Sequence, residues 1–369
     1  MKNATYVEAA RRGSHRWWRY LLGLVIILFA WLVVGTVASL LVAIAIGGQE
    51  GFAAFRQADY STLGSVGSFL AIVAGFPCFL AGTLATVSLI HRRPPLTPIA
   101  AQEKISWYRV GQGFVAWFVP FCLIGGLGQY LFYPDTFSFN SDLAALAFFV
   151  PIALIFTAIQ TTTEELFFRG YIVQGASLIG SNRVFLAIVP AAIFTLPHLG
   201  NPEAIAGGWL TVFSNYFLVP GLLWTVVSLI DGTTELAIGV HFANNIGGIL
   251  PIDITGSAVT TPALFTVSEY HATYGALSVL VAIPVFLAIA YGVFKRKPPT
   301  RFPEPPQDRG RSRQFANLSA NDPRRRSSCL KFLLTTHRTQ ETPPRLHLDP
   351  TKFCVRACPK ALLVLSSLP

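Results

Sequence analysis

The sequence predicts an all-α polytopic membrane protein: a bundle of about eight transmembrane helices with a disordered C-terminal tail. Three observations lead there. Hydrophobic residues make up 52% of the 369 residues and charged residues only 12%, against roughly 25% charged in an ordinary soluble domain. Eight apolar stretches are free of Asp, Glu, Lys and Arg. After Lys297 the composition changes abruptly to Pro, Arg, Ser and Thr. This pattern excludes a soluble enzyme, a wholly disordered chain and a disulfide scaffold.

The charge-free stretches run at 20–49, 60–90, 110–134, 143–163, 184–202, 204–230, 236–252 and 270–294. A spanning helix needs roughly 20 apolar residues. Six windows meet that length; 184–202 and 236–252 are short, and 254–268 is too polar to count. The first window, apolar from Tyr20 to about Gly47, exceeds the roughly 7–15 apolar residues of a cleavable signal and is expected to remain as an anchor.

Loop charges set the expected orientation. The basic segment 1–19 carries Lys2, Arg11, Arg12, Arg16 and Arg19; the 91–110 loop carries Arg92, Arg93, Lys104 and Arg109; the last span ends on Lys295, Arg296 and Lys297. Loops on the other face carry only Arg56. Positively charged loops stay in the cytoplasm, so both termini are expected there, with the domain 20–297 in the cell membrane. The Trp17-Trp18 pair reads as an interfacial anchor. No internal repeat is evident, which gives an inverted-repeat transporter little support.

The tail, 298–369, holds 13 Lys/Arg and 5 Asp/Glu. Most of the net +10 therefore lies there and does not mark a nucleic-acid partner. Such a segment is expected to be disordered, and its abrupt start suggests a frameshifted or artefactual extension. Cys354 and Cys358 stand there as CxxxC without a partner set for zinc, while Cys78 and Cys122 lie in apolar runs as small hydrophobes.

Most spans lack ionisable groups, and the exceptions cluster. Glu164-Glu165-Leu166-Phe167-Phe168-Arg169 reads EExxxR, Phe194 to His198 reads FxxxH, and His241 to Asn245 reads HxxxN. Glu165 and Arg169 share a helix face at i,i+4, as do His241 and Asn245. Glu164 sits about 100° round from Glu165, so one acid can pair with Arg169 while the other points elsewhere. A charge at a membrane helix centre costs about 2.5–3.5 kcal/mol, against about −0.3 to −0.6 for each Leu, Ile, Phe or Val. Such groups normally face the protein interior and mark function.

Each residue alone has a plain structural reading. Glu165–Arg169 is an ion pair at a helix end, His198 a satisfied interior histidine, and His241 and Asn245 helix-packing hydrogen bonders. Together, in otherwise apolar helices, they match what amide hydrolysis needs: a base for water, donors for the oxyanion and an acid for the leaving amine. Desolvation raises a carboxylate pKa toward neutrality, where a base works best. Asp231 and Glu235 read as cap and solvation at a short turn, and His271 as an interfacial residue at the outer end of the last span.

EExxxR, FxxxH and HxxxN, in that order in an eight-helix chain, resemble the CPBP family of CAAX-protease-like and bacteriocin-processing intramembrane proteases, also called the Abi family. The motifs cover about 140–250. The resemblance implies hydrolysis of a peptide bond of a membrane-associated peptide or protein substrate within the lipid bilayer. Glu164 with His198 would activate water, His241 and Asn245 would stabilise the oxyanion, and Glu165 and Arg169 would hold the site together. Glu164, His198 and His241 are also candidate zinc ligands, since two His and a carboxylate suit catalytic zinc, although no HExxH is present. A non-catalytic immunity or scaffold protein of this fold and a proton-coupled transporter using Glu164, Glu165 and His198 as a relay are the alternatives. If the fourth span stops at Thr163, Glu164 and His198 lie at opposite membrane edges. The protease reading therefore requires that helix to run on through about Ser177.

Overall fold

A computed structural model describes residues 5–102 and 104–296; the tail expected to be disordered lies outside them. Eight helices of more than two turns occur among the described residues. They are α1 (Trp17–Gln57), α2 (Ser61–Ile90), α3 (Trp107–Phe132), α4 (Leu143–Ile179), α5 (Arg183–His198), α6 (Pro202–Asp231), α7 (Glu235–Gly247) and α8 (Ala272–Val293). All but α5 and α7 are long and apolar enough to cross a membrane. The two shorter helices fall in the two short sequence windows.

The helices begin and end for local reasons. Asp142 caps α4, its Oδ1 accepting from the Ala145 N–H at 2.9 Å. Asn182 caps α5 by accepting from the Val184 N–H at 2.8 Å; each cap satisfies a donor that has no partner within its helix. Exposed Leu32 and Leu41 on α1, Phe148 and Ile155 on α4, and Leu280 and Val281 on α8 form the apolar exterior expected of helices in lipid. Glycines let α3 and α7 touch. A Cβ at Gly113 would meet the Leu236 carbonyl at 2.3 Å, and one at Gly239 the Val110 carbonyl at 1.9 Å.

One difference from the sequence reading decides the site. The helix that begins at Leu143 does not stop at Thr163 but runs unbroken to Ile179. From Glu165 to Ile172 it is a π-helix, a wider turn that often marks functional positions.

One end of the bundle gathers the segments that charge asymmetry assigned to a single face. Arg93 donates to the Ala9 carbonyl at 3.0 Å and to Gln174 at 2.6 Å. Arg109 pairs with Glu235 at 3.3 Å, and Arg296 pairs with Asp231. Asp231 and Glu235 therefore serve ion pairs rather than mere solvation.

A second difference is a three-stranded sheet in an otherwise helical chain. Its strands, β1 (Phe137–Phe139), β2 (Ile252–Ile254) and β3 (Phe265–Val267), are ordered β1-β3-β2, with β1 antiparallel and β2 parallel to β3. The polar 254–268 stretch thus closes onto the α3–α4 connection. Asp253 of β2 is buried, and its Oδ1 accepts from the Thr261 N–H at 3.1 Å.

Burial pushes the Asp253 carboxyl up to about 6 from 3.8. Between those values the folded chain keeps a proton that the unfolded chain has released, so stability falls as pH rises through that window. Asp253→Asn keeps an acceptor for Thr261 and removes the buried charge. At neutral pH it should be more stable than wild type by about 1 kcal/mol, with the two converging near pH 4. Thermal unfolding in detergent across that range checks this, and a difference independent of pH would refute it.

Candidate active site

The bundle brings the three motifs to one level. Tyr6 marks a common plane, because its N–H donates to the Gly232 carbonyl at 2.9 Å and its carbonyl accepts from Gln174 at 2.7 Å. Glu165 lies nine residues before Gln174 on α4, and His241 nine residues after Gly232, which stands in the turn that leads into α7. The α4–α5 hairpin repeats the argument. Glu164 is fifteen residues before Ile179, and His198 fifteen after Arg183, so the two stand the same number of residues from the turn. The requirement that α4 continue past Ser177 is met.

Glu165 is 0% and Arg169 1% exposed, which excludes a solvent-exposed helix-end pair. Arg169 Nη1 lies 3.0 Å from Glu165 Oε1. Its guanidinium also sits 4.4 Å over the Phe194 ring and 5.4 Å from that of Trp224, a cation–π setting. His241 Nδ1 donates to the same Glu165 Oε1 at 2.7 Å. Its other nitrogen, Nε2, faces Glu164 Oε2 at 3.4 Å. Both acids therefore converge on one imidazole; Glu164 is the one free of Arg169, yet it does not point elsewhere. Oε2 of Glu164 is buried without a hydrogen-bond partner.

His198 closes the group from α5, in the 3₁₀ turn Leu196–His198. Its Nδ1 lies 2.8 Å from the Phe194 carbonyl. A carbonyl only accepts, so Nδ1 carries the hydrogen and Nε2 keeps its lone pair. The ring is stacked between Phe194 and Tyr216, at centroid distances of 4.6 and 4.9 Å. The Tyr216 hydroxyl is in turn held by Glu203 at 2.5 Å.

Asn245 is one step removed from the acids. Its Nδ2 donates to Gln160 Oε1 at 3.1 Å, and Gln160 Nε2 donates to Glu164 Oε1 at 3.3 Å. Gln160 is absent from the motif reading. Its only signal was an i,i+4 spacing to Glu164 on an apolar helix. Tyr216 and Trp224, whose ring lies 4.5 Å from His241, gave none.

His271, half-buried, stacks on half-buried Tyr133 at 3.8 Å with its Nε2 shielded. It lines a cavity of about 210 Å³ with Trp117, Asn215, Asn244 and Tyr270. None of the six motif residues lines that cavity.

Nδ1 of His241 is engaged by Glu165 and Nδ1 of His198 by a carbonyl, which leaves Nε2 of each ring as the atom that would meet a metal. Among the described residues, however, no three His, Cys, Asp or Glu side chains are gathered as metal ligands. As placed, Glu164, His198 and His241 are too dispersed to hold a zinc ion between them.

Comparison with known proteins gives a family match and a relative. A family model described as type II CAAX prenyl endopeptidase Rce1-like matches residues 145–247, the stretch that holds all six motif residues. The uncharacterized protein YyaK of Bacillus subtilis (strain 168) is 30% identical over 218 residues, which cover 58% of this chain and 72% of that protein. No solved structure matches. With its motif residues inside the matched segment and its helices long enough for the bilayer, the chain belongs to the Rce1-like family of type II CAAX prenyl endopeptidases.

Proposed function

We propose that the protein is an intramembrane endopeptidase that hydrolyses a peptide bond of a membrane-associated peptide or protein with water activated by Glu164 and His198. The observation that carries this reading is Glu164 Oε2, buried without a hydrogen bond 3.4 Å from His241 Nε2, beside an acid whose Oε1 is taken by both Arg169 and His241. A carboxylate oxygen desolvated without a partner is costly and is suited to hold a water.

The chemistry follows from the donors and acceptors. Glu164 takes a proton from the water as its oxygen adds to the carbonyl carbon. The oxyanion is met by the second Nδ2–H of Asn245, which donates only one hydrogen to Gln160. His241 joins it when Nε2 carries a proton, since Nδ1–H is held by Glu165. Collapse breaks the C–N bond, and the proton on Glu164 passes to the leaving amine, with His198 Nε2 as relay. Glu165 and Arg169 bear no step and fix His241. No step passes through a metal. The charge asymmetry of the loops supports a cell-membrane location with both termini cytoplasmic.

Purified protein in detergent, incubated with a peptide library and read by mass spectrometry, tests this. Defined cleavage products are expected, and they should persist with chelator. Loss of cleavage with chelator, restored by zinc, would replace the Glu164 water mechanism with a metal-assisted one. Absence of cleavage together with proton-driven substrate accumulation in vesicles would replace it with transport.

A further inference from the structure

The proposed catalytic groups are joined to a residue far along another helix by a chain of side-chain hydrogen bonds. Trp117 on α3 donates from Nε1 to Asn244 Oδ1 at 3.1 Å. Asn244 Nδ2 donates to Asn245 Oδ1 at 3.2 Å. Asn245 Nδ2 donates to Gln160 Oε1 at 3.1 Å, and Gln160 Nε2 to Glu164 Oε1 at 3.3 Å.

The two ends of this chain give it one direction. An indole N–H only donates, and an ionised carboxylate only accepts. Each amide between them has an acceptor on one end and donors on the other, so a donor at Trp117 and an acceptor at Glu164 fix all three orientations. Asn245 is thereby held with its NH₂ toward Glu164, the side on which an oxyanion would form. Were the amides reversed, Gln160 would present Oε1 to the Glu164 carboxylate, acceptor against acceptor.

On the reading of Glu164 as base, we infer that Gln160, Asn244 and Trp117 are positioning residues: a one-way hydrogen-bond chain that orients the Asn245 donor and turns an N–H toward Glu164. They touch no reacting atom and act through Asn245 and Glu164. The other ionisable groups around Glu164 are Glu165 and Arg169 on α4, His241 on α7 and His198 on α5, and none belongs to the chain.

Asn244→Asp is the discriminating variant. It is nearly isosteric and keeps the acceptor for Trp117, but it cannot donate to Asn245. The Asn245 and Gln160 amides must then turn over, and the chain ends acceptor to acceptor unless Glu164 holds a proton. With a fluorogenic peptide chosen from the wild-type cleavage products, kcat should fall about 10-fold or more with KM within about twofold, and the acid limb of the pH profile should move to higher pH. Trp117→Phe, which breaks the chain at its far end without reversing it, should lower kcat without that displacement, whereas Gln160→Met, which takes away the Glu164 donor itself, should lower kcat and move the acid limb in the same direction. Trp117→Phe, which removes only a terminal N–H, supplies the kcat comparison if Asn244→Asp fails to fold. Wild-type kcat and an unmoved pH profile in Asn244→Asp, or wild-type kcat in Trp117→Phe and Gln160→Met, would overturn the chain. Glu164→Gln run in parallel separates the two readings: if it cleaves like wild type, the hydrolytic assignment falls first.

Discussion

Replacing Glu164 with Gln should reduce peptide cleavage by about 10³-fold, within the range ascribed to a positioned general base, while leaving the fold intact. The amide keeps an oxygen for the Gln160 donor, fills the same space and removes a buried charge. Its thermal midpoint in detergent should therefore equal or exceed that of wild type. His198→Ala should lose about 10²-fold, because the stacked ring would go but the carboxylate would remain. The measurement is kcat/KM for one reporter peptide, read beside thermal stability. A stable Glu164→Gln protein that cleaves at the wild-type rate would leave the group as a buried polar network without catalysis, which is the scaffold alternative. Equal loss of stability and activity would show only that the residue is structural.

Much of the membrane architecture was legible because hydrocarbon allows few substitutes for an apolar helix. Each of the eight charge-free windows became a helix. What the windows could not show was where a helix ignores its own charges. Glu164, Glu165 and Arg169 ended the fourth window, yet α4 passes through them to Ile179, since their partners stand on neighbouring helices. Their cost is offset by contacts between residues distant in sequence, which no local pattern records. The π-helical stretch from Glu165 to Ile172 is similarly silent. The short strands β1 and β3 pair across more than a hundred residues, so neither carries a signal of its own.

The site divides along the same line. Ionisable residues in apolar helices announce themselves through their cost, and the five named on that basis, Glu164, Glu165, Arg169, His198 and His241, lie in one group with the amide Asn245 beside it. Neutral amides cost less and are common in helix interfaces, so Gln160 and Asn244 were passed over although they connect Asn245 to Glu164.

Arg169→Met should destabilise the protein by about 3–5 kcal/mol, the usual cost of leaving one partner of a buried ion pair without its counter-charge. Glu165 would then share a buried space with Glu164, and only His241 would lie between them. Arg169→Lys should not rescue it, because an ammonium cannot reproduce the flat guanidinium over Phe194 and Trp224, where planarity and delocalised charge are what the rings accept. The decisive variant is the double one. Glu165→Gln with Arg169→Met removes both charges and leaves His241 an amide oxygen to donate to, so stability should recover relative to Arg169→Met alone. A double-mutant cycle on thermal unfolding measures the coupling. Cleavage should stay low in the double variant, because an amide oxygen holds the His241 ring less firmly than a carboxylate and cannot balance a proton on Nε2. Recovery of stability without recovery of activity would separate what this pair does for the fold from what it does for His241; simple additivity of the two single effects would show that Glu165 and Arg169 do not act as a pair.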